Sequence, residues 1–174
     1  PMVMKVPLMR EGDGGENIVG FEIEHQMLQV LHGTHMPRFV AAGDLARVPY
    51  LVMERLTGIT LEAWIKQNAS ADRPVTIESI THIGAKLAQA VHSLHQQNAC
   101  HLDLKPANVM ITDEDRLVLL DFGLSCHSDY PDLMAEEFRK AVGSPAWIAP
   151  EQVVGMRGDP RSDVFAIGVM LYEM

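Results

Sequence analysis

The 174-residue sequence has little of several things that mark whole classes of protein. It has two cysteines, Cys100 and Cys126, without Cys-x-x-Cys spacing, so no disulfide framework is encoded. They read as ordinary thiols, Cys126 being the more open to oxidation because it falls in a loop. No apolar run is long enough to span a membrane and no N-terminal segment has signal-peptide anatomy, so this segment is expected to be cytoplasmic, without membrane contact. Lys and Arg are scattered and the net charge is −9, which leaves no basic stripe for nucleic acid or anionic lipid. There is no internal repeat and no low-complexity tract. What remains, 47% hydrophobic and 21% charged residues, is the composition of a globular domain.

The informative stretch runs from His101 to Gly123. Val109–Thr112 and Leu117–Leu120 are apolar, β-branched runs around the polar loop Asp113-Glu114-Asp115-Arg116, which predicts a β-hairpin. Pairing Thr112 with Leu117 sets Val109 opposite Leu120, so Asn108 and Asp121 are expected to face each other beyond the open end, with Cβ atoms about 5 Å apart. An amide and a carboxylate side by side suit a hard cation such as Mg²⁺, whose remaining positions are filled by water and phosphate oxygens. Asp103, five residues before Asn108, could orient a hydroxyl nucleophile.

His101-Leu102-Asp103-Leu104-Lys105-Pro106-Ala107-Asn108 followed by Asp121-Phe122-Gly123 resembles the catalytic loop and metal-binding motif of the eukaryotic-like Ser/Thr protein kinases, with a bacterial look. Gly143-Ser144-Pro145-Ala146-Trp147-Ile148-Ala149-Pro150-Glu151 resembles the family's peptide-positioning loop, and Ser162–Val169 its long central helix. Lys105, two residues after Asp103, is similar to the Ser/Thr-specific branch. The resemblance implies transfer of the ATP γ-phosphoryl group to a protein Ser or Thr hydroxyl, with ATP and Mg²⁺ as cofactors. Asp103 would accept or orient the hydroxyl, Lys105 steady the γ-phosphate, and Asn108 and Asp121 hold the metal. Leu102 departs from the family, which has arginine there to receive a phosphorylated activation-loop residue. Leucine implies docking without phosphorylation. Ser125, Ser128, Tyr130 and Ser144 remain as candidate phosphate acceptors.

Upstream, Val3–Val6 reads as a strand carrying one cation, Lys5. The helical period from Asn17 to Leu31 puts Glu24 on one face with Met27, Leu28 and Leu31. A carboxylate on an apolar face needs a partner, and Lys5 is the candidate. The resemblance implies that this pair aims the lysine at the α- and β-phosphates. Further strands are expected near Arg38–Ala42 and Tyr50–Met53, and helices after Thr60 and from about Thr76 to Gln97, the latter with Ile80, Leu87, Val91 and Leu94 as its core stripe. His92 and His95 on that helix lack a third metal ligand. Pro49–Gly58 resembles the last small-lobe strand and hinge, which implies Met53 as gatekeeper and the backbones of Glu54 and Leu56 on the adenine edge.

The expected fold is α+β, a two-lobe protein-kinase-like fold truncated at both ends, lacking the strands of the Gly-rich loop and the C-terminal helices of the large lobe. Residues 1–55 would form a partial small lobe with the lysine strand, the Glu24 helix and the hinge strand. Residues 56–174 would form a partial large lobe with the catalytic loop, activation segment and start of the central helix. Gly12-Asp13-Gly14-Gly15 follows Lys5 and reads as a polar loop, not as the phosphate-binding loop. Loss of covering helices would expose Val164, Phe165, Ile167, Val169 and Leu171 as a patch that lowers solubility. A rival reading is a pseudokinase or degenerate remnant acting as a binding module. A small-molecule kinase of related fold is disfavoured by the segment ending at Ala149-Pro150-Glu151.

Overall fold

A computed structural model describes residues 1–7, 15–45, 47–68, 75–137 and 142–174. The loop predicted at Gly12–Gly15 lies, apart from Gly15, outside them.

The N-terminal part is a three-stranded antiparallel sheet backed by one helix. Strands β1 (Met2–Lys5), β2 (Phe39–Ala42) and β3 (Leu51–Glu54) take the order β1-β3-β2. Helix α1 (Glu16–Val30) buries the face that its 3.6-residue period predicts, with Glu24, Met27 and Leu28 inside and Leu31 just beyond its end. The outer face of β1 stays open: Met2 and Met4 are exposed.

The chain then crosses into a second sheet, β4 (Gly58–Thr60), β6 (Val109–Thr112) and β7 (Leu117–Leu119), ordered β4-β6-β7. Gly58 is required at the crossing. Its φ is +143°, and a Cβ there would meet the Ile111 carbonyl oxygen at 2.2 Å. Helix α2 (Leu61–Asn68) follows, then α3 (Ile77–His95), whose Thr76 side chain caps the N-terminus by accepting from the Ser79 N–H at 3.2 Å. The core stripe of α3 is Ile83, Leu87, Ala90, Val91 and Leu94, with the predicted Ile80 only half-buried. β5 (Ala99–Cys100) pairs with β8 (Cys126–His127), a ladder too short to leave a sequence period. Helices α4 (Leu133–Glu137), α5 (Pro150–Val153) and α6 (Pro160–Glu173) complete the order.

Helix α6 packs on α3, close enough that a Cβ at Gly84 would meet Leu171 at 3.2 Å. This corrects the expected exposed patch: Ile167 is buried and Val169 and Leu171 are half-buried, which leaves Val164 and Phe165 in solvent. One core runs through both parts, from Leu28 and Leu51 to Leu87, Leu119, Phe122 and Met170.

The β6–β7 hairpin is real, but its register differs by one from the predicted pairing. Val109 faces Leu119 and Ile111 faces Leu117. The cause is a three-residue turn: Asp115 takes a left-handed conformation (φ +58°), its N–H donates to the Thr112 carbonyl, and the Thr112 N–H returns to Arg116 at 2.9 Å. Arg116 therefore belongs to the ladder. Asn108 lies opposite Leu120, whose N–H it accepts at 2.8 Å, and Asp121 comes one residue later.

Candidate active site

Both residues at the hairpin's open end are redirected by local geometry. Pro106–Asn108 forms a single 3₁₀ turn that buries Asn108 just before β6. Asp121 has φ +60°, a turn that lifts its side chain out of the strand direction and into a cleft. That cleft has a volume of about 660 Å³ and is lined by Lys5, Glu24, Asp103, Lys105, Asp121 and Ser144 among others. Six chemistry-bearing side chains from both parts of the chain thus meet in one concavity.

On one wall, Lys5 from β1 is ion-paired with Glu24 from α1, and its Nζ lies 3.5 Å from Asp121 Oδ1. Glu24 is 3% exposed. Burial pushes its carboxyl above the usual range, opposed by the Lys5 cation and by the Phe122 N–H. Burial acts on Lys5 in the opposite sense, lowering it, but the Glu24 and Asp121 carboxylates together outweigh it and the ammonium is held more firmly than usual. The cation therefore stays charged inside the cleft.

On the other wall stands Asp103. Its Oδ2 accepts from Lys105 Nζ at 2.8 Å and from Asn108 Nδ2 at 3.1 Å. Its Oδ1 accepts from both the N–H (3.0 Å) and the Oγ (2.8 Å) of Ser144. Lys105 also donates to Ser144 Oγ at 2.8 Å. Asp103, Lys105 and Ser144 thus form a closed triangle. Ser144, one of the four candidate phosphate acceptors, has its hydroxyl engaged with Asp103. The available signal was its position after Gly143, where a short hydroxyl side chain can reach back to the loop.

The loop carrying Asp103 is held from beneath. Leu102 has φ +63°, costly for a branched side chain, and is buried. Asp163 of α6 secures it: Oδ1 accepts from the Leu102 N–H at 2.8 Å, and Oδ2 accepts from the His101 N–H at 2.9 Å. Oδ2 also meets His95 Nε2 at 2.9 Å, while Gln152 Nε2 donates to the Leu102 carbonyl at 2.8 Å. His95, Cys100 and Asp163 have ligand-type atoms within 4.8 Å of one another, but these bonds already engage both Asp163 oxygens. Asp159, not Asp163, caps α6, accepting from the Arg161 N–H at 2.9 Å. Sequence reasoning missed Gln152 and the bracing role of His95, since their partners lie 50 or more residues away. His101 itself is buried, bonds the Leu120 carbonyl at 2.9 Å and stacks at an angle on Phe122 with centroids 5.1 Å apart. Every one of these contacts fixes backbone around Asp103 and Asp121.

The donor set fits a divalent cation and a polyphosphate. Asp121 presents an accessible carboxylate, and because the Asn108 Nδ2 is committed to Asp103, the Asn108 side-chain Oδ1 is the atom left for a metal. Met53, Glu54 and Leu56, read as adenine-side residues, are not among the residues that line this cleft. The Glu54 N–H donates to the Arg38 carbonyl at 2.9 Å. Its side chain accepts from the Arg38 N–H and lies 3.7 Å from Arg116. Among the remaining candidate phosphate acceptors, Ser125 is buried with its Oγ donating to the His101 carbonyl, so only Ser128 and Tyr130 are exposed.

Comparison with known proteins agrees with this geometry. The protein kinase domain family matches residues 3–174. A probable serine/threonine-protein kinase of Clostridium acetobutylicum is 35% identical over 132 residues, covering 76% of this chain and 19% of that protein. Another so named from Clostridium perfringens is 30% identical over 168 residues, covering 96% and 24%. The serine/threonine-protein kinase PknB of Mycolicibacterium smegmatis is 32% identical over 127 residues, covering 73% and 20%. The chain thus spans about a fifth to a quarter of the length of these relatives. Among the described residues no helix is long and apolar enough to cross a membrane. With the match running nearly end to end and an α+β architecture built around the Asp103 loop, the chain belongs to the protein kinase domain family.

Proposed function

We propose that this chain is the catalytic segment of an ATP-dependent protein serine/threonine kinase acting in the cytoplasm. The observation that carries the reading is the convergence of Lys5, Glu24 and Asp121 with Asp103, Lys105 and Ser144 on one cleft. Phosphoryl transfer to a hydroxyl needs little covalent help from protein and depends on positioning and on neutralised charge.

Lys5, oriented by Glu24, binds the α- and β-phosphates. Asp121 and Asn108 would hold Mg²⁺, which when bound would offset negative charge on the phosphate oxygens. Asp103 orients the acceptor hydroxyl and takes its proton, and Lys105 lies beside it to steady the γ-phosphate. Ser144, bonded to both, keeps the carboxylate turned toward the acceptor. Met53 and the Glu54 and Leu56 backbones supply the adenine side.

Docking of the activation segment needs no phosphate. Leu102, in place of an arginine, offers neither charge nor donor, and Arg157 supplies the anchor instead: Nε donates to Asp132 at 2.7 Å and Nη2 to the Leu124 carbonyl at 2.8 Å. Replacing both Ser128 by Ala and Tyr130 by Phe is therefore expected to leave transfer within about twofold. Loss of activity restored by an acidic residue at 128 would overturn this part.

The decisive test is transfer of radiolabelled γ-phosphate to a protein acceptor by Asp103→Asn beside the unaltered chain. Transfer is expected to fall by at least ~100-fold, with Mg²⁺-ATP affinity unchanged, as for removal of a general base. Equal residual transfer by both proteins would sink the assignment of Asp103.

A further inference from the structure

Two cysteines far apart in sequence are brought directly opposite each other. In the β5–β8 ladder Ala99 faces His127 and Cys100 faces Cys126. Facing residues of an antiparallel pair have Cα atoms about 4.5–5.5 Å apart, inside the range of about 4.4–6.8 Å that disulfides span. Both are free thiols, Cys100 buried and Cys126 half-buried, so a small reagent has a way to the second. Directly opposite residues of a ladder project their side chains to the same face, so the two thiols are neighbours. β5 runs straight into His101 of the Asp103 loop, and β8 begins three residues after Gly123.

We propose that Cys100 and Cys126 are an oxidisable dithiol, a modification site at which a hydroperoxide joins the two thiols in one intramolecular disulfide. That bond would staple the strand after Asp121-Phe122-Gly123 to the strand that leads into the Asp103 loop.

The two cysteines have distinct parts in the step. The neighbouring Cys126 and burial both push the Cys100 thiol up, so it keeps its proton. Cys126 is the more accessible of the two, and the Cys100 thiol beside it, against burial and with help from the Arg157 cation, draws it down, which makes it the nucleophile. The Cys126 thiolate attacks one peroxide oxygen: an S–O bond forms, the O–O bond breaks, and the other oxygen leaves as hydroxide or alkoxide. Cys100 sulfur then attacks the Cys126 sulfenic sulfur. The S–S bond forms, the S–O bond breaks, and the hydroxyl leaves with the Cys100 proton as water. Two electrons pass from the thiols to the peroxide.

The test treats the whole chain, folded, with a small excess of hydrogen peroxide, blocks remaining thiols by alkylation and maps non-reduced peptides by mass spectrometry. The expected product is a monomer lighter by two hydrogens, with one peptide joining Cys100 to Cys126, reversed by dithiothreitol and at least ~10-fold slower to form in urea-unfolded chain. Cys100→Ser is expected to trap a dimedone-reactive sulfenic acid at Cys126, about tenfold faster than Cys126→Ser reacts at Cys100. Intermolecular dimers, sulfonic acids without a crosslink, or equal rates folded and unfolded would overturn the proposal. None of these readouts depends on phosphoryl transfer.

Discussion

The Asp103 loop and the sheet that carries Lys5 reach the same cleft by opposite means. The loop is held redundantly: Asp163, Gln152, Ser144 and Asn108 all bond it, most of them buried, and it carries a left-handed leucine that those bonds stabilise. Lys5 sits on a strand whose outer face is open and is held by two carboxylates, the buried Glu24 and the exposed Asp121. Redundancy fixes the position of the Asp103 carboxylate, since loss of any one bond leaves the others in place. Two ion pairs, one of them to an exposed carboxylate, hold the Lys5 cation by fewer and more solvated contacts than those on the loop. The small sheet is then the adjustable wall and the loop the fixed one.

The largest expected effect tests the fixed wall. Asp163→Ala strands the buried N–H groups of His101 and Leu102 and removes the bonds that hold Leu102 in its left-handed conformation. It should cost about 3–5 kcal/mol in urea unfolding, enough to threaten the fold. A loss below about 1 kcal/mol would show that the loop does not depend on this brace.

Lys5→Met tests the adjustable wall and should cost less, about 1–2 kcal/mol near neutral pH, because Lys5 is 42% exposed and screened by solvent. Its signature is the pH dependence. Burial already raises Glu24 above 4.5, and removing the opposing cation raises it further. A raised carboxyl contributes stability below its unfolded pKa and loses it as pH rises through the folded value. The gap between variant and unaltered chain should therefore be narrow near pH 4.5 and widen toward neutrality. A gap independent of pH would show that Glu24 does not feel Lys5.

The smallest effect lies at the start of α6. The Arg161 side chain, then its backbone N–H, hold Asp159 down at about 2 from an ordinary 3.8. A lowered carboxyl stabilises above its unfolded pKa and stops doing so as pH falls through the folded one. The cap should persist through pH 3.8 and fade toward pH 2, followed by the Arg161 amide chemical shift. A midpoint near 3.8 would show an unpaired cap.

Much of this was legible in the residues because it rests on local rules. The period of α1 put Glu24 on the buried face, and the apolar runs on either side of a polar loop gave the β6–β7 hairpin. The hairpin's register was not legible, since it turned on a left-handed Asp115 that four polar residues in a row do not advertise. Ile167 was expected in solvent because burial by α3 is a contact between distant helices. Ser144 looked like an exposed hydroxyl until the chain folded it onto Asp103.

By itself the sequence determined the longer helices and strands and which chemistry they carry, because helix and strand periods and the reach of Asp, Asn and Lys side chains act over a few residues. Tertiary structure alone decided which donor occupies each oxygen of Asp103 and Asp163, and which strand faces which. It also set Cys126 against Cys100. Those pairings depend on how distant segments share one core, and the hydrogen bonds they satisfy are worth most where water is excluded.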